Sequence, residues 1–177
     1  MLFTCQNPGI FAALFAVFCL AHCMAGAQER ETTETLRIIQ TTKGALPLPE
    51  TGLILPHEHL FTDLRGPDAP GYAEADPVEV ERVMKPYLDA ASSKGVCILV
   101  ECSSVGVGRN VEILERLGRS SGIPLVVPTG VYGRGKFAPP EFERMSEAAL
   151  GDWMISEITQ GIGGTGIKAG FIKLACD

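Results

Sequence analysis

Apolar runs separated by helical patterns indicate an alternating order of strands and helices along the chain. A strand buried on both faces is predicted at residues 96–102, because "VCILVEC" is almost wholly apolar and lies between Gly95 and Ser103. Similar strands are predicted in "LILPHEHLF" (53–61), "IPLVVPTGVY" (123–132) and "AGFIKLA" (169–175). Ahead of them, "LRIIQTT" and "GALPLPETG" predict a short β-ribbon.

Three helices are predicted between these strands. The first begins at an Asp76 cap, with Pro77 in its first turn, and ends at Gly95. Its apolar stripe, with Pro86 as the point of a kink, consists of Val80, Val83, Met84, Tyr87, Leu88 and Ala91. The second lies in "RNVEILERLGRSSG" and ends at Gly122. The third starts at Ser146 and is expected to bury Leu150, Trp153, Met154 and Ile158.

The resulting order, β-α-β-α-β-α-β, predicts an α/β fold with parallel strands and right-handed crossovers. Two architectures fit this order: a doubly wound open sheet, or the first half of a (β/α)8 TIM barrel, which is about four β/α units. A whole barrel needs roughly 250 residues. Residues 28–177 are shorter than that and show no linker that would mark a second domain.

The amino-terminal segment indicates export. Residues 1–27 contain no charged side chain and end in small residues at Ala25-Gly26-Ala27, which is typical of a signal peptide cleaved before Gln28. The protein is therefore expected to be periplasmic or secreted. The alternative is a membrane anchor formed by the same segment without cleavage.

Charge and cysteine content narrow the function classes. The net charge of −6 is carried entirely beyond residue 27, and this acidity argues against a nucleic-acid surface. Three of the six cysteines fall in the signal segment. The other three (Cys97, Cys102 and Cys176) are odd in number and lack CxxC spacing, so buried free thiols are expected rather than a disulfide framework or zinc-cysteine site.

Two histidines in "PHEH" form the first candidate site. His57 and His59 are two residues apart on a predicted strand, so both imidazoles face one side while Glu58 faces the other. Imidazole suits borderline divalent metals, and such a pair supplies two ligands from a fixed backbone. The alternative is two histidines that are hydrogen-bonded near a strand end. Spacing alone does not separate the two interpretations.

Lys173 is the second candidate because it interrupts an apolar run. A lysine in such surroundings loses its charge readily, which would hold a neutral amine for a Schiff base or for reaction with carbon dioxide. The alternative is a lysine whose ammonium reaches water at the strand end. His57, His59 and Lys173 would all lie near the carboxyl ends of parallel strands, where such folds place their sites.

Taken together, these stretches resemble the phosphotriesterase family of the amidohydrolase superfamily. The similarity covers about residues 35–177 through "TGLILPHEHLF", "GVCILVECSSVGVGRNVEILERL", "VVPTGVY" and "ITQGIGGTGIKAGFIKLA". It implies that His57 and His59 bind one of two divalent metal ions, zinc in the expected case. It implies that Lys173, carboxylated by carbon dioxide, bridges both metals and has a catalytic role. Ile54 departs from the family's usual threonine.

Three further features have competing interpretations. Tyr132 matches an aromatic position beside the substrate in the family, or else packs at a strand end. Arg109 and Asn110 would form an anion site at a helix start, although capping is the favoured interpretation. "GIGGTGIK" (161–168) is not a phosphate loop, because Ile167 separates the last glycine from Lys168. It predicts a helix end and a turn.

The resemblance implies a metal-dependent hydrolase, an aryldialkylphosphatase or a lactonase, in which a metal-bridging hydroxide attacks a phosphotriester, lactone or aryl ester. Its partner would be a small-molecule ester, and a homodimer is one assembly considered for the full-length enzyme. Two histidines and an aspartate from the family's second half would complete the site. The 177-residue chain is therefore expected to be an inactive amino-terminal half, truncated after strand 4. The alternative is a non-catalytic exported remnant with at most weak metal binding.

Overall fold

The computed structural model describes residues 37–133 and 137–175. The predicted signal segment 1–27 and Cys176 lie outside these ranges. Within them, none of the helices combines the length and the apolar character needed to cross a bilayer.

In the part of the chain that the structure describes, seven strands form one antiparallel ribbon and two parallel groups. The ribbon pairs β1 (Ile38–Thr41) with β2 (Gly44–Pro47). The first parallel group has the order β3 (Leu53–Glu58), β4 (Val96–Glu101), β5 (Leu125–Val126). The second pairs β6 (Pro128–Thr129) with β7 (Phe171–Ile172). The α/β class with parallel strands is thereby confirmed.

The helices lie between these strands in the chain. They are α1 (Pro77–Ser93), α2 (Val111–Ser121), the short α3 (Pro140–Glu143), which sequence analysis missed, and α4 (Glu147–Thr159). A 3-10 turn at Ile162–Gly164 follows α4. The longer helices begin where the sequence predicts, because the side chains of Asp76, Asn110 and Ser146 each accept a backbone N–H from the first turn.

The third predicted strand is divided at Pro128. Residues Leu125 and Val126 pair with β4, whereas Pro128 and Thr129 pair with β7. Proline has no N–H to donate to a ladder, so the chain changes neighbour at this position. The stretch 125–129 therefore joins the two parallel groups into the strand order β3, β4, β5/β6, β7.

The core lies between the sheet and α2. Ile113, Leu114 and Leu117 of α2 and Leu125 and Val127 of the sheet are at most 1% exposed. Burying each such side chain stabilises the fold by roughly 1.5–3 kcal/mol. The main apolar cluster that they belong to also includes Leu88, Val96, Leu99, Val111, Ile123, Ile162, Ile167 and Ala169.

Two helices bury less than the sequence predicts. On α1, Leu88 is buried, but Val83 and Tyr87 are 48% and 69% exposed. They lie on one flank of the stripe, whereas the opposite flank contacts the core. On α4, the predicted core residues Leu150, Trp153, Met154 and Ile158 are only half-buried, and the one fully buried side chain is that of Glu157.

Candidate metal centre

His57 and His59 lie at the carboxyl end of β3. His57 is in the strand, and His59 follows its last residue, Glu58. Their ring centroids are 5.3 Å apart with the planes at 63°. Both line one cavity of about 520 Å³. The prediction that the two imidazoles face the same side is therefore confirmed.

Lys173 reaches the same cavity from the far end of the sheet. It follows β7, and its backbone N–H donates to the Thr129 carbonyl at 2.8 Å. Its side chain is half-buried and lines the cavity together with both histidines. The Cys102 thiol is a neighbour: burial raises the pKa of Cys102, and the positive charge of Lys173 acts against that increase. The three sequence candidates thus converge on one space.

Gly130 allows the close approach of Lys173. Its φ of +109° is in the left-handed region, and a Cβ at this position would lie 2.2 Å from the Lys173 carbonyl oxygen. No side chain fits there without moving the backbone, so glycine is required for β6 and the Lys173 segment to lie side by side.

The remaining cavity wall is largely apolar. Tyr132 stands against Phe137 edge to face, with ring centroids 5.5 Å apart. The Tyr132 backbone N–H donates to Val105 at 2.6 Å, which fixes the wall to the loop after β4. Thr62, Leu64, Cys102 and Val107 complete the lining. Tyr132 therefore packs against Phe137 and also lines the cavity.

A buried carboxylate beside His59 was missed by sequence analysis. Glu101, the last residue of β4, is 0% exposed, and its oxygens accept N–H groups from Leu60 at 2.5 Å and Ser103 at 2.7 Å. Burial raises the pKa of Glu101, and these hydrogen bonds oppose the increase. The Ser103 hydroxyl lies 2.9 Å from His59 Nδ1. A lone acidic residue at the end of an apolar strand was the available sequence signal.

A second network fixes the loop between β3 and α1. The Asp63 carboxylate accepts Nε and Nη2 of Arg65 at 2.9 and 2.6 Å, and the Ala73 N–H at 3.0 Å. The Arg65 hydrogen bond, which outweighs burial, holds the pKa of Asp63 well below its usual range. Asn110 donates to the Ala73 carbonyl at 2.9 Å. The loop that carries Thr62 and Leu64 is thereby tied to the start of α2.

Arg109 is engaged in a buried ion pair. Its two terminal nitrogens donate to the Glu157 carboxylate at 2.6 and 2.7 Å, and one also donates to the Pro128 carbonyl at 3.0 Å. The guanidinium carbon lies 5.6 Å from the Trp153 ring centroid. Asn110 caps α2, as predicted. An anion site at this helix start therefore receives no support from the structure.

The glycine-rich stretch after α4 is a turn, as predicted. Gly161, Gly163, Gly164 and Gly166 all have positive φ, and the 3-10 turn lies among them. The Lys173 strand follows directly, so this stretch brings the chain from α4 back to the sheet.

The donor set of the cavity fits a metal only in part. Over residues 37–133 and 137–175, no group of three or more His, Cys, Asp or Glu side chains is placed to hold one ion. Two imidazoles are present. The Nδ1 atom of His59 contacts the Ser103 hydroxyl, so its Nε2 is the ring nitrogen that is available to bind a metal ion. Lys173 would repel a cation as an ammonium but would become an anionic oxygen ligand if carboxylated. The residues of the cavity therefore fit a metal ion if Lys173 is carboxylated.

Known proteins match this chain over its described part. The Phosphotriesterase family model matches residues 37–177. The phosphotriesterase homology protein of Mycobacterium tuberculosis is 30% identical over 148 residues, covering 78% of this chain and 45% of the relative. The aryldialkylphosphatase of Saccharolobus solfataricus is 32% identical over 144 residues, covering 80% and 45%.

A solved structure also matches this chain. The organophosphorus hydrolase from Deinococcus radiodurans superposes with a TM-score of 0.66 at 29% identity, covering 76% of this chain and 42% of that one. The strand order described above is consistent with part of a TIM barrel. The chain spans about half the length of the curated relatives that it matches. It belongs to the phosphotriesterase family.

Proposed function

We propose that residues 37–175 form the part of a hydrolase site that binds two metal ions and acts on small-molecule esters. The observation that carries this proposal is the convergence of His57, His59 and Lys173 on one cavity at the carboxyl ends of parallel strands. The family supports the chemical class, since its members include hydrolases named for phosphate esters and organophosphorus compounds.

Each residue has a distinct task. His57 and His59 would supply imidazole nitrogens to one metal ion, zinc in the expected case. Reaction of the unprotonated Lys173 amine with carbon dioxide would form an N–C bond and release one proton, and the resulting carboxylate would be an anionic oxygen ligand for the metal ions. When bound, the metals would supply Lewis acidity and lower the pKa of a water molecule. The charge of that carboxylate would offset part of the dipositive charge of the metal ions.

The apolar wall at Tyr132 and Phe137 suits the organic part of an ester. Edge-to-face rings present a rigid surface at low entropic cost, so they hold an aryl, alkyl or lactone group beside the polar donors. The organic groups of phosphotriesters and of lactones both suit this apolar wall. The activity of the whole protein is proposed through its relatives, because the chain matches about 45% of their length.

A chimera tests this function. Residues 37–175 replace the matching region of the Deinococcus radiodurans hydrolase, and turnover of paraoxon and a simple lactone is measured with zinc and bicarbonate. We expect hydrolysis that is lost in the His57→Ala and Lys173→Ala chimeras. Lys168→Ala is the matched control, because Lys168 lines a separate cavity. A folded chimera that takes up zinc and hydrolyses neither ester would contradict the proposal.

For the location of the protein, we propose export directed by residues 1–27, which carry no charged side chain. Mass spectrometry of the mature protein is the test. A new amino terminus at Gln28 supports cleavage, whereas an intact segment in the membrane fraction supports an anchor.

A further inference from the structure

Two neighbouring loops form part of the wall of the candidate metal cavity. The first loop, between β3 and α1, contributes Thr62 and Leu64, and the second loop, between β4 and α2, contributes Val107. The Asp63 N–H donates to the Val107 carbonyl at 3.0 Å, so the two backbones are joined beside the cavity. Gly108 has a φ of +94°, and a Cβ there would overlap the Asp63 backbone nitrogen, so this close approach requires glycine.

A tyrosine hydroxyl ties the far end of the first loop to the same place. The buried N–H of Gly108 donates to the Tyr72 hydroxyl oxygen at 2.8 Å, and Tyr72 itself is half-buried. The N–H of Ala73, the next residue, donates to the Asp63 carboxylate at 3.0 Å. Together with the bond from Asp63 to Val107, these bonds close a ring that runs through both loops.

We propose that Tyr72 is a positioning residue that joins the two loops into one rim, which opens as a unit and keeps Val107 in place in the cavity wall. The described lining of the cavity includes Val107 but not Tyr72, so Tyr72 acts through Val107. A wall that is fixed in advance binds an organic group at a smaller entropic cost. This consequence for ester binding rests on the proposed function, whereas the joined rim does not.

Amide hydrogen exchange of the full chain, followed by NMR, tests the joined rim. Tyr72→Phe leaves the buried Gly108 N–H without its acceptor, so the amides of Gly108 and Asp63 should both exchange about 5- to 150-fold faster relative to the core amide of Leu114. The Asp63 amide is decisive, because its acceptor is a backbone carbonyl of the second loop and not the tyrosine. Tyr87→Phe is the matched control, since it removes the same hydroxyl from an exposed position on α1. Faster exchange at Gly108 alone, or an equal increase at Leu114, overturns the inference.

Titration with triethyl phosphate, in buffer with zinc and bicarbonate, tests the consequence for ester binding. The amide signal of Val107 reports occupation of the cavity. Tyr72→Phe should bind the ester about 5-fold more weakly than the unaltered chain, and Tyr87→Phe should bind it equally well. Unchanged affinity in Tyr72→Phe overturns the part of the inference that concerns esters. If the unaltered chain binds no triethyl phosphate, the proposed function is contradicted, and the exchange rates of Gly108 and Asp63 alone decide whether the rim is joined.

Discussion

The fold should be highly sensitive to the loss of one partner of the buried Arg109–Glu157 pair. Their side chains are 8% and 6% exposed, and Arg109 also holds the carbonyl of Pro128, the residue before Thr129, which anchors Lys173. Glu157→Gln removes the negative charge while nearly keeping the shape. The guanidinium then remains buried and uncompensated.

The expected loss follows from that burial. Breaking a buried ion pair by removing one partner costs about 3–5 kcal/mol in free energy of unfolding. At roughly 3 °C per kcal/mol, Tm should fall on the order of 10 °C or more. The same change at the exposed Arg119–Glu115 pair, whose side chains are 77% and 39% exposed, should cost only about 0.3–0.5 kcal/mol.

Urea unfolding followed by circular dichroism measures both variants. Glu157→Gln should lower the free energy of unfolding several-fold more than the control Glu115→Gln. The double variant Arg109→Met/Glu157→Leu removes both charges and should be more stable than Glu157→Gln. Equal losses in Glu157→Gln and Glu115→Gln would refute the argument, because an unpaired guanidinium at the buried site would then cost no more than one at the surface.

Two further predictions concern Gly130 and Asp63. Gly130→Ala should destabilise the fold and displace Lys173, because the added Cβ would lie 2.2 Å from the Lys173 carbonyl oxygen. Gly133→Ala is the control, since there is open space around Gly133. Equal Tm values for the two variants would contradict the predicted clash. The pKa of Asp63 is depressed, so its stabilisation is present above the unfolded pKa of about 3.9 and is lost as pH falls through the folded pKa. The difference in free energy of unfolding between the unaltered chain and Asp63→Asn should therefore be full at pH 7 and shrink below about pH 4, and a pH-independent difference would contradict the assigned bond.

Features that depend on neighbouring residues were predictable from the sequence. The caps at Asp76, Asn110 and Ser146 and the helix end at Gly122 follow from local chemistry, and all are present. The shared orientation of His57 and His59 follows from strand alternation alone. Features that depend on how much surface a neighbouring element covers were not predictable. Tyr87 has the correct helical spacing for the apolar stripe, yet no described element covers it enough to bury it.

The site also combines residues that the sequence predicts with contacts that it does not predict. Ser103 contacts His59 across 44 residues of sequence, and Arg109 meets Glu157 across 48. Such partners are set by the register of β3 against β4 and by the position of α4. That register contains two shifts, between Leu53 and Ile54 and between Leu55 and Glu58, which alternation could not predict. Only the three-dimensional packing identifies these contacts.

The zinc content of the chain decides whether His57, His59 and Lys173 form a metal centre. The full chain is reconstituted with zinc in bicarbonate buffer, desalted and analysed for zinc per chain, alongside His57→Ala/His59→Ala, Lys173→Ala and the control Lys168→Ala. We expect zinc in the unaltered chain and in Lys168→Ala. We expect its loss in both site variants, with part of the zinc regained by Lys173→Ala in propionate, which can occupy the place of the lysine carboxylate. Undiminished zinc in the double histidine variant would contradict the assignment of the metal centre.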